Sequence, residues 1–381
     1  MANSVKYVIA VVALAMMTAG AVAADRSVRW LGVDFPRDSP VGLVSFSLGE
    51  LKTAVRGTSL ALNLHTSVTL RNSSNKVVRG LTLSVEAQDL TPSGKASVTV
   101  PSLNVAPGEI FPVRLDLELL RPYDTVKNNG PLIQVTLDGV LFQDLSFFGP
   151  NKLNSKRNLT VYELEARRDR LYFDRLLETG NLAQLKEEMN FGLPEVQVPQ
   201  LGMELLRNPH SLSHGEHPVS VSFVSFPDAP VQMIRGAAKV YQNEVRAPQV
   251  DFRNQTNHTV KSIEMGWILR DDRGRDFIAG SVPAEVKIGP VQQASMTDKS
   301  VLRFSHPSGR PMLIDGVTTF INNVEFTDGR VWISSRTDIS RSDLDATLKH
   351  AIATSPEQQR LSEIYRKRGM SGLQNELKKL N

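Results

Sequence analysis

The sequence has 381 residues, of which 41% are hydrophobic and 22% are charged, and its formal net charge is +4. These values are ordinary for a globular protein, and the length is sufficient for two or three domains with separate cores. The absence of cysteine excludes disulfides, thiolate catalysis, Cys-ligated zinc and a lipidated cysteine anchor. The positive charges are scattered along the chain, a pattern typical of solvated faces, and we expect no nucleic-acid partner.

Residues 1–24 have the pattern of a secretory signal peptide. Lys6 supplies a positive start, Val8 to Met17 form a continuous apolar run, and Ala21-Val22-Ala23 is a small-residue cleavage sequence. The pattern predicts cleavage after Ala23 or Ala24, a periplasmic or secreted bacterial protein, and no transmembrane span after cleavage. An uncleaved membrane anchor is the alternative, although the apolar run is short for a span of about 20 residues.

Residues 25–150 contain short runs in which apolar and polar residues alternate, the pattern of strands with one buried face. Turn sequences such as Asn72-Ser73-Ser74-Asn75 and Asp138-Gly139 separate them. Six to eight short strands at this spacing predict an antiparallel β-sandwich, the first of two domains.

Residues 151–217 predict a helical connector followed by a linker. Thr160 with Glu163 has the form of a capping box, and Gly180 divides two runs of helical periodicity. The segment 191–218 contains several prolines and little periodicity, so we expect it to lack regular structure.

Residues 218–340 predict a second β-sandwich whose landmarks follow those of the first in the same order. Corresponding pairs include Pro40-Val41 with Pro218-Val219, Arg56-Gly57 with Arg235-Gly236, Asn72 with Asn254, and Phe142 with Phe326. Each copy would bury its own sheet faces and fold as a unit, so the repeat favours a duplicated domain.

The remaining residues, 341–381, predict a helical tail. Ser342 can cap a helix that runs to about Ile352, and Ser355-Pro356 begins another, because proline is favoured at the first helical position. Gly369 interrupts that helix, and leucines continue beyond it. The fold class is therefore mainly β with helical segments: two duplicated immunoglobulin-like antiparallel β-sandwiches, each followed by a helical segment.

The stretch from Asn254 to Gly274 resembles the bacterial extracytoplasmic FxLYD-type family of immunoglobulin-like β-sandwiches. An Asn with a polar turn, a valine-led alternating strand and an Asp-x-x-Gly turn carry the resemblance, with Leu269-Arg270-Asp271 in place of Leu-Tyr-Asp. The resemblance implies a β-sandwich fold and a binding or scaffolding role in the cell envelope. It carries over no catalytic residues.

The densest group of metal-ligating residue types consists of His210, His214, Glu216 and His217. Three imidazoles and a carboxylate within eight residues could hold Zn²⁺ or Cu²⁺, since neutral imidazole is a good ligand for both ions. Neighbouring prolines and Gly215 place the group in a loop, and its spacing matches no metal-site signature. A solvated polar linker is the competing interpretation.

No nucleophile motif or phosphate-binding loop occurs in the sequence. The leading hypothesis is therefore a non-enzymatic exported protein, without a cofactor, whose tandem β-sandwiches bind a protein or an envelope-surface ligand. The first alternative is a metal-binding protein or metal-dependent enzyme built on the linker histidines. The second is an envelope assembly factor of the chaperone kind, in which an exposed sheet edge accepts a partner strand.

Overall fold

The computed structural model describes residues 31–56, 58–87, 95–122, 133–193, 201–206, 215–297, 300–306 and 312–380. Strands make up most of its regular structure, so the prediction of a mainly β protein with helical segments is confirmed. The chain divides into two compact units, Met1–Glu163 and Leu164–Asn381, and the division falls inside the first described helix.

The first unit contains two sheets. Strands β2, β3 and β6 form one sheet, whereas β1, β7, β4 and β5 form the other in that order, with β8 paired to β7. All pairs are antiparallel except β1 with β7. The strands are β1 (Leu31–Asp34), β2 (Val41–Arg56), β3 (Ser59–Asn72), β4 (Val78–Ala87), β5 (Lys95–Val100), β6 (Ile110–Pro122), β7 (Ile133–Phe142) and β8 (Phe147–Phe148).

A common hydrophobic core lies between these two sheets. Alternate residues of β3 and β6, such as Val68 and Val113, are buried there with Leu81, Leu83 and Val135 of the other sheet. The alternation predicted from the sequence thus determines which face of each strand is buried.

The second unit contains a ten-stranded sheet in which most strands follow the order β14-β13-β17-β10-β11-β12-β16-β9. β15 also pairs with β12, and β18 with β17. The amide of Leu201, just before β9, donates to the carbonyl of Ile278 in β14, so the sheet nearly closes on itself. The strands are β9 (Gly202–Leu206), β10 (His217–Val224), β11 (Val231–Tyr241), β12 (Glu244–Asn254), β13 (Val260–Asp271), β14 (Asp276–Ile288), β15 (Gln293–Thr297), β16 (Val301–Ser305), β17 (Ile314–Phe326) and β18 (Val331–Ile333).

Helices follow both β-rich regions, although the second group begins at Arg336, inside the predicted sandwich 218–340. They are α1 (Ser155–Glu178), α2 (Leu182–Phe191), α3 (Arg336–Arg341), α4 (Ala346–Ala353) and α5 (Pro356–Leu380). In the second unit, Phe173 of α1, Leu185 of α2 and Leu361 of α5 share a buried cluster. Gly369 interrupts α5 with a φ of 66°, a conformation that glycine adopts without steric cost.

Several local predictions about the helices and the linker were wrong. α1 begins at Ser155, so Thr160 lies within it and donates to the carbonyl of Lys156 rather than capping a start. Ser342 follows the end of α3, and Asp345 caps α4. The predicted linker includes β9, which has little periodicity of its own and is held by its pairing with β16. The start of α5 is confirmed, because Ser355 caps it.

Strand pairing changes two of the proposed correspondences between the two β-rich regions. Arg56 pairs with Ser59 at the closed end of the β2–β3 hairpin, whereas Arg235 pairs with Asp251 in the middle of the β11–β12 hairpin, so these two arginines do not correspond. Val41 stands opposite Asn72 across the β2–β3 hairpin, and Val231 stands opposite Asn254 across the β11–β12 hairpin. The counterpart of Val41 in this pairing is therefore Val231 and not Val219. The β11–β12 hairpin is shorter than the β2–β3 hairpin, so residues at the starts of the two hairpins do not match at the same sequence offset as Asn72 and Asn254.

Candidate functional site

The predicted metal ligands lie only partly within the described residues. His210 and His214 lie outside them, whereas His217 is exposed at the start of β10. The carboxylate of Glu216 lies 3.3 Å from a guanidinium nitrogen of Arg246 and 3.4 Å from the ammonium nitrogen of Lys239. These two cations engage Glu216 in ion pairs. No group of three or more metal-ligating side chains occurs among the described residues, so metal binding at the histidines stays a prediction.

A buried polar network in the second unit was not predicted from the sequence. Arg336, the first residue of α3, donates from Nε to Asp169 of α1 at 3.1 Å, from Nη1 to Glu188 of α2 at 2.9 Å, and from Nη2 to Gln358 of α5 at 2.6 Å. Its guanidinium also lies 4.8 Å from the ring centre of Tyr172. Arg336, Asp169, Glu188 and Gln358 form what we call the Arg336 network, which joins four helices.

Further contacts hold the acidic members of the network in place. Asp169 is completely buried, accepts a hydrogen bond from Ser355, and pairs with Arg168 at 2.8 Å. Burial alone would raise the pKa of Asp169, but Arg168 and Arg336 outweigh it and hold the pKa below its usual range. The carboxylate therefore stays ionised, and its charge is compensated by the two arginines.

A pocket of about 450 Å³ opens beside the Arg336 network, lined by residues that include Tyr172, Glu188, Lys349 and His350. The hydroxyl of Tyr172 donates to Glu188 at 3.1 Å and accepts from Gln184 at 2.9 Å. Burial and the neighbouring Glu188 raise the pKa of Tyr172 to about 12, so the phenol keeps its proton at neutral pH. His350 stacks on Phe191 with ring centres 4.3 Å apart. Tyr172 is therefore a poor nucleophile here. It lines the pocket and holds Glu188 and Gln184 by hydrogen bonds.

Glu165 is a second carboxyl near the network. Its pKa is raised to about 7, chiefly by burial; Arg168 opposes this shift, and the charges of Asp169 and Glu264 add to it. The carboxyl of Glu264 on β13 accepts from Asn323 at 2.9 Å and from the hydroxyl of Ser281. The protonation state of Glu165 therefore changes near neutral pH.

The first unit offers a different kind of site, an open strand edge. Within the described part of the chain, the 16-residue strand β2 pairs only with β3, so its other side has no strand partner. Leu43, Val44 and Val55 on this strand are 41%, 46% and 62% exposed. Unpaired backbone groups on a long edge strand are a template for another extended chain, because they need hydrogen-bond partners.

Sequence reasoning missed the Arg336 network because its members are far apart in the chain. Arg336 and Asp169 are separated by 167 positions, and Glu188 and Gln358 by 170. Contacts between residues so far apart produce no recognisable spacing pattern in the sequence. The sequence analysis proposed that an exposed sheet edge could accept a partner strand, but it did not identify β2 as that edge.

Comparison of the sequence with models of known protein families gave no match, and no characterised protein proved similar to it. None of the described helices combines the length and apolar character that a membrane span requires.

Proposed function

We propose that the protein is a non-enzymatic exported binding or scaffolding protein that uses tandem β-sandwich units to engage a protein or surface ligand. The signal-like pattern in residues 1–24 supports export to the periplasm or the medium. Each β-rich region would be an immunoglobulin-like sandwich followed by a helical segment, and the two would descend from one duplicated domain. The proposed extents are 25–150 and 218–340 for the sandwiches, 151–217 for the connector and 341–381 for the tail.

Equivalent pairings in the two units support duplication. β1 lies parallel to β7 in the first unit, and Val221 to Val224 of β10 lie parallel to β17 in the second. The chain then enters a hairpin in each, and the residue after Asn72 or Asn254 donates its amide to the carbonyl of Pro40 or Pro230. Two unrelated β folds would not be expected to repeat a parallel pair and a hairpin in the same chain order.

The open edge of β2 is the observation that carries the binding role. Main-chain hydrogen bonds along such an edge provide affinity for an extended segment, and exposed apolar side chains provide contact area. Natural edge strands are usually blunted by charges, prolines or short length. β2 carries the charged Lys52 and two register shifts, but it is long, contains no proline and exposes three large apolar side chains.

Site-specific photocross-linking tests this role. Cells would produce the protein with a photoreactive amino acid in place of Val44 or Val55. After irradiation of these cells, the cross-linked adducts would be mapped by mass spectrometry. We expect both positions to give the same adduct, with the linked residues in an extended segment of the partner. Leu171 of α1, which is 67% exposed, is the matched control position and should not give that adduct.

Adducts that are absent, or equally frequent at Leu171, would contradict the proposal. The same edge supports the chaperone-like alternative, because an assembly factor would also accept a partner strand. A stable one-to-one adduct with a mature protein favours scaffolding. Transient adducts with many newly exported chains favour the assembly factor.

A further inference from the structure

β10 changes its pairing partner halfway along its length, and the change leaves part of β11 open. His217–Ser220 pair with β11, whereas Val221–Val224 pair with β17. Over the described residues, β11 positions 231–233 and 235 therefore pair with β12 alone, and Ile234 lies between them at a bulge. The opening ends at Gly236, where an added Cβ would stand 2.9 Å from the ring of Phe223. A short strand edge is thus exposed inside a cleft, rather than along a whole sheet side.

A pocket of about 170 Å³ lies at this cleft. Its lining mixes polar groups with apolar side chains, which include Val224 at the end of β10, Met233 of β11 and Ile321 of β17. The side-chain amide of Gln255 donates to that of Gln232 at 3.1 Å, and both residues also line it. A cavity of about 150 Å³ is large enough for a benzene molecule, so this pocket suits a single aliphatic side chain.

An acidic pair lies beside the pocket. The turn from Phe226 to Ala229, closed by a 3.0 Å hydrogen bond between their backbones, carries Asp228 next to Asp338 of α3. The hydrogen bond and the charge that Asp338 contributes both raise the pKa of Asp228, and Arg341 offsets them only in part. Asp338 is 1% exposed, and its Oδ1 has no hydrogen-bond donor, although Oδ2 accepts from the amide of Ser335. One carboxylate oxygen of Asp338 is therefore left without a donor, whereas the exposed Asp228 is the member of the pair that a ligand can reach.

We propose that this cleft binds an extended polypeptide segment of a partner protein, with one aliphatic side chain in the pocket and a nearby Lys or Arg at the acidic pair. The open backbone of β11 would bond to the main chain of the segment, which selects a strand conformation. The pocket would select the size of one side chain, and the exposed Asp228, with the buried charge of Asp338 behind it, would select a positive charge beside it. The inference rests on the proposed function, because both require an extended partner segment.

Selection from a displayed library of random heptapeptides tests the inference with the purified full-length protein. We expect enriched peptides to share one Leu, Ile or Met followed or preceded within a few residues by Lys or Arg. Ala229→Leu, which adds a side chain to the pocket lining, should weaken a selected peptide at least about 10-fold, because burial of the anchor is lost. Asp228→Asn should weaken it about 5-fold and remove the preference for a basic residue.

Two controls separate recognition from misfolding. Asp272→Asn changes an exposed aspartate outside the cleft and should leave affinity unchanged. A synthetic copy of the selected peptide, methylated on alternate backbone nitrogens, should lose binding to the unaltered protein, because strand addition needs those donors.

Enrichment of the same peptides by the unaltered protein, Ala229→Leu and Asp228→Asn would overturn the inference, as would a selection without the shared pattern. Neither result would decide the proposed function, which is tested separately by the cross-links at Val44 and Val55.

Discussion

Asn72 and Asn254 make the same set of hydrogen bonds at corresponding turns of the two units. Each side-chain amide donates to the carbonyl four residues further on, Lys76 at 2.8 Å and His258 at 2.7 Å. Each also donates to a distant segment, at Val105 in one unit and at Ile288 and Gly289 in the other. Each side-chain oxygen accepts from the backbone and hydroxyl of the residue two positions later.

Because both asparagines are completely buried, their removal leaves polar groups without partners. We expect Asn72→Ala and Asn254→Ala each to lower the free energy of unfolding by about 2 kcal/mol. Urea denaturation measures this change. The neighbouring exposed residues are matched controls, so Asn75→Ala and Asn257→Ala should change it by less than about 0.5 kcal/mol. A tolerated change at Asn72 or Asn254 would show that the turn is held by other contacts.

Loss of the Arg336 guanidinium should destabilise the second unit strongly. Arg336→Leu would leave the carboxylates of Asp169 and Glu188 buried with one fewer cation, at a cost of about 3–5 kcal/mol. Chemical denaturation followed by helical circular dichroism would measure it. Arg273→Leu, at an exposed turn of the same unit, is the control and should be nearly neutral. An equal effect of both substitutions would contradict the role of the network in joining the helices.

The Glu165 carboxyl should make stability depend on pH. Because the pKa is raised from 4.5 to about 7 in the folded state, the folded protein holds this proton more tightly than the unfolded chain. Its contribution is therefore favourable below about pH 4.5 and is lost as the pH rises towards 7.

Glu165→Gln removes the charge that burial disfavours. We expect the variant to be about 1–3 kcal/mol more stable than the unaltered protein at pH 8 and equally stable at pH 4.5. Urea midpoints measured across this pH range test the expectation, with Glu187→Gln on exposed α2 surface as control. A stabilisation that is the same at every pH would indicate a packing effect instead.

The acidic pair should also respond to pH, in the same direction. The pKa of Asp228 is raised by Asp338, so the stabilising proton is present at low pH and is lost as the pH rises through that pKa. Asp228→Asn supplies a neutral donor to Asp338, so it should raise the melting temperature at pH 7 and have little effect at pH 3. Calorimetry would measure this, and Asp272→Asn should show no such pH dependence.

The histidine-rich segment is tested by its metal content. We expect dialysed protein to retain no stoichiometric zinc or copper, because Lys239 and Arg246 engage Glu216. Elemental analysis by mass spectrometry would measure it. One metal ion per chain that is lost in His214→Ala, but kept in His65→Ala as control, would instead support the metal-binding alternative.

Local pattern was sufficient for the β-rich character, for α1 and α2 on either side of Gly180, and for the start of α5 at Ser355. Each of these depends on interactions between residues close in the chain: alternation within a strand, a glycine break, or a side chain that caps the next turn. The turn that begins at Asn72 was likewise predicted from the sequence, because a turn is a local structure, whereas the burial of Asn72 appears only in the structure.

Tertiary contacts decided the features that concern function. β10 pairs first with β11, the next strand in the chain, and then with β17, which begins at Ile314. The alternation of residues within β10 does not indicate where this change of partner occurs. The charge state of Glu165 depends on burial and on Glu264, 99 positions away. The sequence alone thus determined the β-rich character and most of the helical segments, because these depend on local pattern. Pairing and burial between distant segments decided where β9 forms, which edges stay open and which carboxyls are buried.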